Sequence, residues 1–123
     1  MTTWITICDT CKFQGRKNGD MALSDGEKLA GLIERHAATT GLRTRRTSCL
    51  MGCAHGCNIT IQAVGKLAYT LGRFSPDEKA ARAIVSYGTQ HAASTSGQVP
   101  FRQWPEAIKG HFITRHQPLP EDQ

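Results

Sequence analysis

Cys49-Leu50-Met51-Gly52-Cys53-Ala54-His55-Gly56-Cys57 carries three of the chain's five cysteines in one short loop. The other two, Cys8 and Cys11, stand close together near the N-terminus. Thiolates are strong ligands for iron and zinc, and glycines between them let a backbone curl around a centre without Cβ clashes. A single cysteine is most often a buried packing residue. Five of them sorted into two tight groups are better explained by a soft-metal site.

Working outward, Leu42 to Ser48 is rich in arginine and threonine and predicts a strand that delivers Cys49. Beyond the loop, Ile59, Ile61 and Ala63 alternate with polar residues, Gly65-Lys66 makes a turn, and Leu67, Tyr69 and Leu71 alternate again. That is the pattern of a β-hairpin. Toward the N-terminus, Trp4-Ile5-Thr6-Ile7 is β-branched and aromatic and predicts a strand running into Cys8. Lys12 to Asp20 reads as an exposed loop. Ser24 and Glu27 then form a capping box ahead of Leu29, Leu32, Ile33, His36 and Ala37 at helical spacing, with Gly41 as the stop. Ser75-Pro76-Asp77-Glu78 predicts a second helix start, with Ser75 as the cap and a stop near Gly88. Thr89 to Gln98 reads as a linker, and the tail carries Phe101 and Trp104 folding back on the body, a short helix around Glu106 to His111, and a proline-rich end.

The order strand, helix, strand, hairpin, helix fits an α/β (α+β), thioredoxin-like arrangement. The expected architecture is a four-stranded mixed sheet with two main helices and an irregular C-terminal tail. It would form one domain over residues 1–123, with 89–123 as linker and tail. Adjacent parallel strands would bring Cys8 and Cys49 to one rim, where four thiolates satisfy either a [2Fe–2S] cluster or a tetrahedral zinc.

Composition narrows the function classes. With 39% hydrophobic residues, 20% charged residues and no apolar run near the ~20 residues of a membrane span, the expectation is a cytoplasmic protein without membrane association. Five cysteines with no export signal suit a reducing compartment. The net charge is +5, with clusters at Arg43, Arg45 and Arg46 and at Lys12, Arg16 and Lys17. No nucleic-acid-binding signature accompanies them, so the charge is read as a solvated surface suited to an acidic protein partner rather than to nucleic acid.

Cys49-Leu50-x-Gly52-Cys53-x-x-Gly56, followed by a hairpin and a capped helix, resembles the thioredoxin-like [2Fe–2S] ferredoxins and the related small subunit of respiratory complex I. A closer likeness is to a bacterial family of small metal-binding proteins, the DUF1636 group. It shares the I-C-x-x-C start, the C-L-x-x-C-x-x-x-C loop, the hairpin and the segment Trp104-Pro105-Glu106-Ala107-Ile108. The resemblance spans nearly the whole chain. It implies a [2Fe–2S] cluster held by Cys8, Cys11, Cys49 and Cys53, and a homodimer. Two departures stand out. The ferredoxins place their second ligand further along a longer loop, whereas Gln14 to Ser24 holds no cysteine here. Cys57 also stands where they have proline, so the fourth ligand is open between Cys11 and Cys57.

A cysteinyl cluster cycles by one electron, which leads to a one-electron carrier or redox sensor, not an enzyme. It would dock on an acidic redox partner through the cysteine rim, with loop amides and Arg45 or Arg46 beside the sulfurs. The alternatives are a zinc- or cobalt-binding protein for metal delivery or structure, and a thiol–disulfide oxidoreductase using Cys8 and Cys11. Against the last, no recognisable helix start follows Cys11 and no proline precedes the hairpin. Cys53-Ala54-His55 matches half of a Rieske pattern, but no histidine follows Cys57. His36 is read as structural, and His91, His111 and His116 receive no role.

Overall fold

Strand β1 (Trp4–Cys8) alternates as a half-covered strand should. Ile5 and Ile7 are fully buried on one face, while Trp4, Thr6 and Cys8 turn to the other. In the structure, a computed structural model that describes residues 2–9, 25–47 and 57–118, this strand lies between two partners. Strand β2 (Arg43–Thr47) runs parallel to it, pairing Cys8 with Thr47. Strand β3 (Cys57–Gln62) runs antiparallel on the other side, pairing Ile7 with Ile59. Strand β4 (Ala68–Phe74) closes the expected hairpin against β3, and β5 (Phe112–His116) adds antiparallel to β4. The order is β2-β1-β3-β4-β5.

The expected mixed sheet is therefore present, with a fifth strand in place of the irregular tail. Phe112-Ile113-Thr114 has β-forming residues, but their state is decided by pairing with β4, far away in sequence, and by Phe112 meeting Tyr69 edge-on at 5.5 Å.

Helices α1 (Asp25–Ala37) and α2 (Glu78–Ala93) pack side by side over one face of the sheet. Leu29 and Ile33 from α1 and Ile84 and Tyr87 from α2 join Ile5, Ile7, Ile59, Ile61 and Leu71 in one core. Each fully buried aliphatic side chain contributes about 1.5–3 kcal/mol. The opposite face carries a polar row that crosses the sheet in register: Arg45, Thr6, Thr60, Thr70 and Thr114.

Three boundaries differ from expectation. The cap of α2 is Asp77, whose side chain accepts from the Ala80 N–H, while Ser75 bonds to Asp77 instead. Two competent caps stood two residues apart, and the extended backbone of Asp77 selects it. Next, α2 continues through Gly88 to Ala93, so the expected linker begins as helix. Gly88 is a close-approach residue: a Cβ there would lie 3.0 Å from Leu42 and 3.3 Å from Ile5. Finally, the expected helix around Glu106 to His111 is a 3-10 turn, Glu106–Ile108, preceded by another at Phe101–Gln103. Trp104 does fold back, donating its Nε1–H to the Val99 carbonyl, whereas Phe101 stays 62% exposed. Ser24, the expected cap of α1, lies outside the described residues.

His91, which the sequence left without a role, is fully buried in α2. Its Nε2 lies 2.7 Å from the Leu67 carbonyl, so that nitrogen carries the proton and Nδ1 accepts from Thr3 Oγ1 at 3.0 Å. Lys66 Nζ donates to the carbonyls of His91 and Ala92 at the end of the same helix. Burial lowers the His91 pKa from its ordinary value, and the Lys66 charge adds to that. The unfolded chain therefore binds this proton first. Stability from a neutral His91 is present above about pH 6.5 and falls as pH drops below it, by at most about 1.4 kcal/mol per pH unit. Thermal melts from pH 7.5 to 5 should show a steeper decline for the native protein than for His91→Gln. Equal slopes would refute this account.

Candidate metal centre

The candidate centre lies where three strands meet at one end of the sheet. The C-terminal end of β1 carries Cys8, almost fully buried. Next to it β2 ends at Thr47, tied on by the Asp9 N–H donating to the Thr47 carbonyl at 2.9 Å. On the other side β3 begins at Cys57. Thr47 and Cys57 are thus the two ends from which the cysteine-rich loop departs, and they flank the strand that bears Cys8. The expected meeting of β1 and β2 at a shared rim is observed up to Thr47. Cys11, Cys49 and Cys53, and with them Gly52, His55 and Gly56, lie outside the described residues.

Cys8 and Cys57 are placed differently. Cys57 sits in the hydrophobic core with Ile7, Ile59 and Phe74. Cys8 is as deeply buried but is not part of that core, because it alternates to the face of Thr6. Cys57 thus belongs to the core cluster, which sequence spacing alone does not show. Among the described residues, no three His, Cys, Asp or Glu side chains come together as a metal-holding group.

The arginines of β2 are already engaged. Arg46 makes a two-pronged contact with Glu34 of α1, Nε to Oε2 at 2.9 Å and Nη2 to Oε1 at 2.8 Å. This holds the Glu34 carboxyl below its ordinary pKa and raises that of Arg46. At this exposure the pair contributes roughly 0.5–1 kcal/mol. Arg45 donates to Thr6 Oγ1 at 2.7 Å and to Gln62 Oε1 at 3.3 Å, with its guanidinium 5.8 Å from the centre of the Trp4 ring. Its partners lie up the sheet from Cys8. Arg46 thus ties α1 to the sheet and Arg45 braces the polar face, while the sulfurs of Cys11, Cys49 and Cys53, beside which either arginine was expected, lie outside the described residues.

Gly26, in the first turn of α1, escaped the sequence reading. A Cβ on it would lie 2.2 Å from the Cys8 carbonyl oxygen and 2.9 Å from the Asp9 carbonyl carbon. The helix start therefore presses directly on the strand end that carries Cys8, and its positive dipole end favours negative charge there. The available signal was a lone glycine inside a capped helical pattern.

The family description "Protein of unknown function (DUF1636)" matches residues 5–118. The chain belongs to the DUF1636 family. Among the described residues of this DUF1636 chain, the match takes in both helices and, apart from Trp4 of β1, all five strands. No curated protein matches its sequence. Among solved structures, the DUF1636 chain is similar to a thioredoxin-like [2Fe–2S] ferredoxin from Aquifex aeolicus, at 15% identity and a TM-score of 0.58. The likeness covers 95% of this chain and 94% of that one. The fold is thus thioredoxin-like. No described helix of the DUF1636 chain is long and apolar enough to cross a membrane.

Proposed function

We propose that this protein is a small iron–sulfur protein that binds a [2Fe–2S] cluster through Cys8, Cys11, Cys49 and Cys53 and serves as a one-electron carrier or redox sensor. The observation that carries the reading is the placement of Cys8 at the strand end flanked by both ends of the cysteine-rich loop. Cys49 is two residues past Thr47, the strand partner of Cys8, so the covalent chain holds it within ~7 Å of Thr47. The thioredoxin-like fold supports the reading as well. When bound, such a group supplies one-electron chemistry. The protein's own part is to hold the first sulfur at a buried strand end, to press the positive end of α1 against it, and to keep bulk water from it.

The core position of Cys57 favours Cys11 as the fourth ligand. No substrate chemistry is assigned to the chain. Its partner is a redox protein with an acidic docking surface, in keeping with a net charge of +5.

Iron and acid-labile sulfide per chain, measured on anaerobically purified protein with its visible spectrum, test this. Two of each with a brown colour are expected. Colourless protein with one zinc would replace the reading with a structural or delivery metal site. Metal-free protein that reduces insulin disulfides would replace it with thiol–disulfide exchange at Cys8 and Cys11.

A further inference from the structure

The sheet has two outer strands, and they are finished differently. β2 carries Arg43, Arg45 and Arg46 within five residues, and like charges of that density keep another strand away. Among the described residues β5 carries a single arginine, Arg115. Beside it lies a cleft of about 430 Å³. Four successive residues, Phe112 to Arg115, line this cleft. Side chains alternate between the faces of a strand, so a space that touches four in a row runs along the strand's edge. There, alternate N–H and C=O groups of β5 point away from β4. The facing wall is apolar, built by Val99, Phe101 and Trp104. Phe101 is one of two large hydrophobics exposed among the described residues.

Arg115 is the one charged residue among the described lining, and no Asp or Glu lines the slot there. Lys109, 4.7 Å over the Phe101 ring, is already paired with Glu106 at 2.8 Å, which leaves Arg115 as the charge open to an occupant. β3 and β4 separate it from β1, so an occupant would leave the cysteine end uncovered.

We propose that this slot binds an extended acidic peptide segment of another protein, added as an antiparallel or parallel strand to β5. One apolar side chain of the segment seats against Phe101 and Trp104, and a flanking carboxylate pairs with Arg115. Main-chain hydrogen bonds to the edge supply affinity, while the pocket and the charge supply selectivity. The inference does not depend on the metal reading.

The test uses the full chain, isotopically labelled, with the blocked peptide acetyl-Glu-Val-Phe-Val-Glu-amide as probe. Expected are amide shift changes and at least about ten-fold slower hydrogen exchange centred on residues 112–116. The analogue with lysine in place of both glutamates should bind about ten-fold more weakly, the worth of one charge pair. Arg115→Glu should invert that preference. Phe101→Ala, at an exposed position that leaves the fold intact, should weaken both peptides. Three results would overturn the proposal. One is equal binding of the acidic and basic peptides, or of neither. Another is occupation of the cleft by indole-3-acetate without any protection of β5 amides, which would mark a small-molecule site. The third is a dimer in sedimentation that Phe101→Ala dissolves, which would mark a contact between copies.

Discussion

Cys8→Ser protein, purified without oxygen from iron-replete cells, is expected to be colourless and to hold neither iron nor acid-labile sulfide. Serine keeps the shape of the side chain but removes a soft thiolate that a cluster of this kind does not replace with a hydroxyl of ordinary acidity. The same outcome is expected for Cys11→Ser. Cys57→Ala should behave otherwise, because that thiol fills space in the core beside Ile59 and Phe74. It should keep its full metal complement and lose about 1 kcal/mol of stability. Metal analysis and urea unfolding of the three variants give both readouts. If Cys57→Ala loses its iron while Cys11→Ser keeps it, the ligand assignment is wrong.

The second large effect is expected at Gly26. In a helix, Gly→Ala ordinarily stabilises by up to about 1 kcal/mol. At Gly31, with nothing within 4 Å of a built Cβ, that gain should be seen. At Gly26 the sign should reverse, because the Cβ would meet the backbone of Cys8 and Asp9, which cannot rotate away. Forcing helix and strand apart should cost about 3 kcal/mol and displace Cys8 from the rim. Denaturant melts of Gly26→Ala and Gly31→Ala compare the same chemical change in one helix. Metal content then shows whether the rim moved. A Gly26→Ala protein as stable and as metal-replete as the native one would refute this contact.

These two positions show how far the chain could be read in advance. Cys8 was legible because a short β-branched run ends on it, and strand period and cysteine spacing are local signals. The hairpin of β3 and β4 was legible for the same reason. Gly26 and Gly88 were not, since their meaning lies in what approaches them, the Cys8 carbonyl in one case and Leu42 with Ile5 in the other. Locally, Gly88 has the look of a helix stop. His91 gives no local sign either: its partners Thr3 and Leu67 come from distant parts of the chain. β5 escaped because five residues in a turn-rich tail become a strand only when β4 offers a ladder. For the candidate site, Cys57 was the ambiguous case. Spacing counts sulfurs but does not say on which side of a strand each one falls.

Among the described residues the core is assembled from Ile, Leu, Val, Phe, Tyr and Ala side chains held between helices and sheet, with Cys57 among them and Cys8 outside. Such a scaffold stands on its own hydrocarbon, unlike small zinc domains that exist as folded bodies only while loaded. With the cluster proposed above, a chain of this kind would be stripped and refilled without being rebuilt. Oxidative damage to that cluster would then leave an intact recipient for repair, and the lifetime of the polypeptide would not be the lifetime of its cargo.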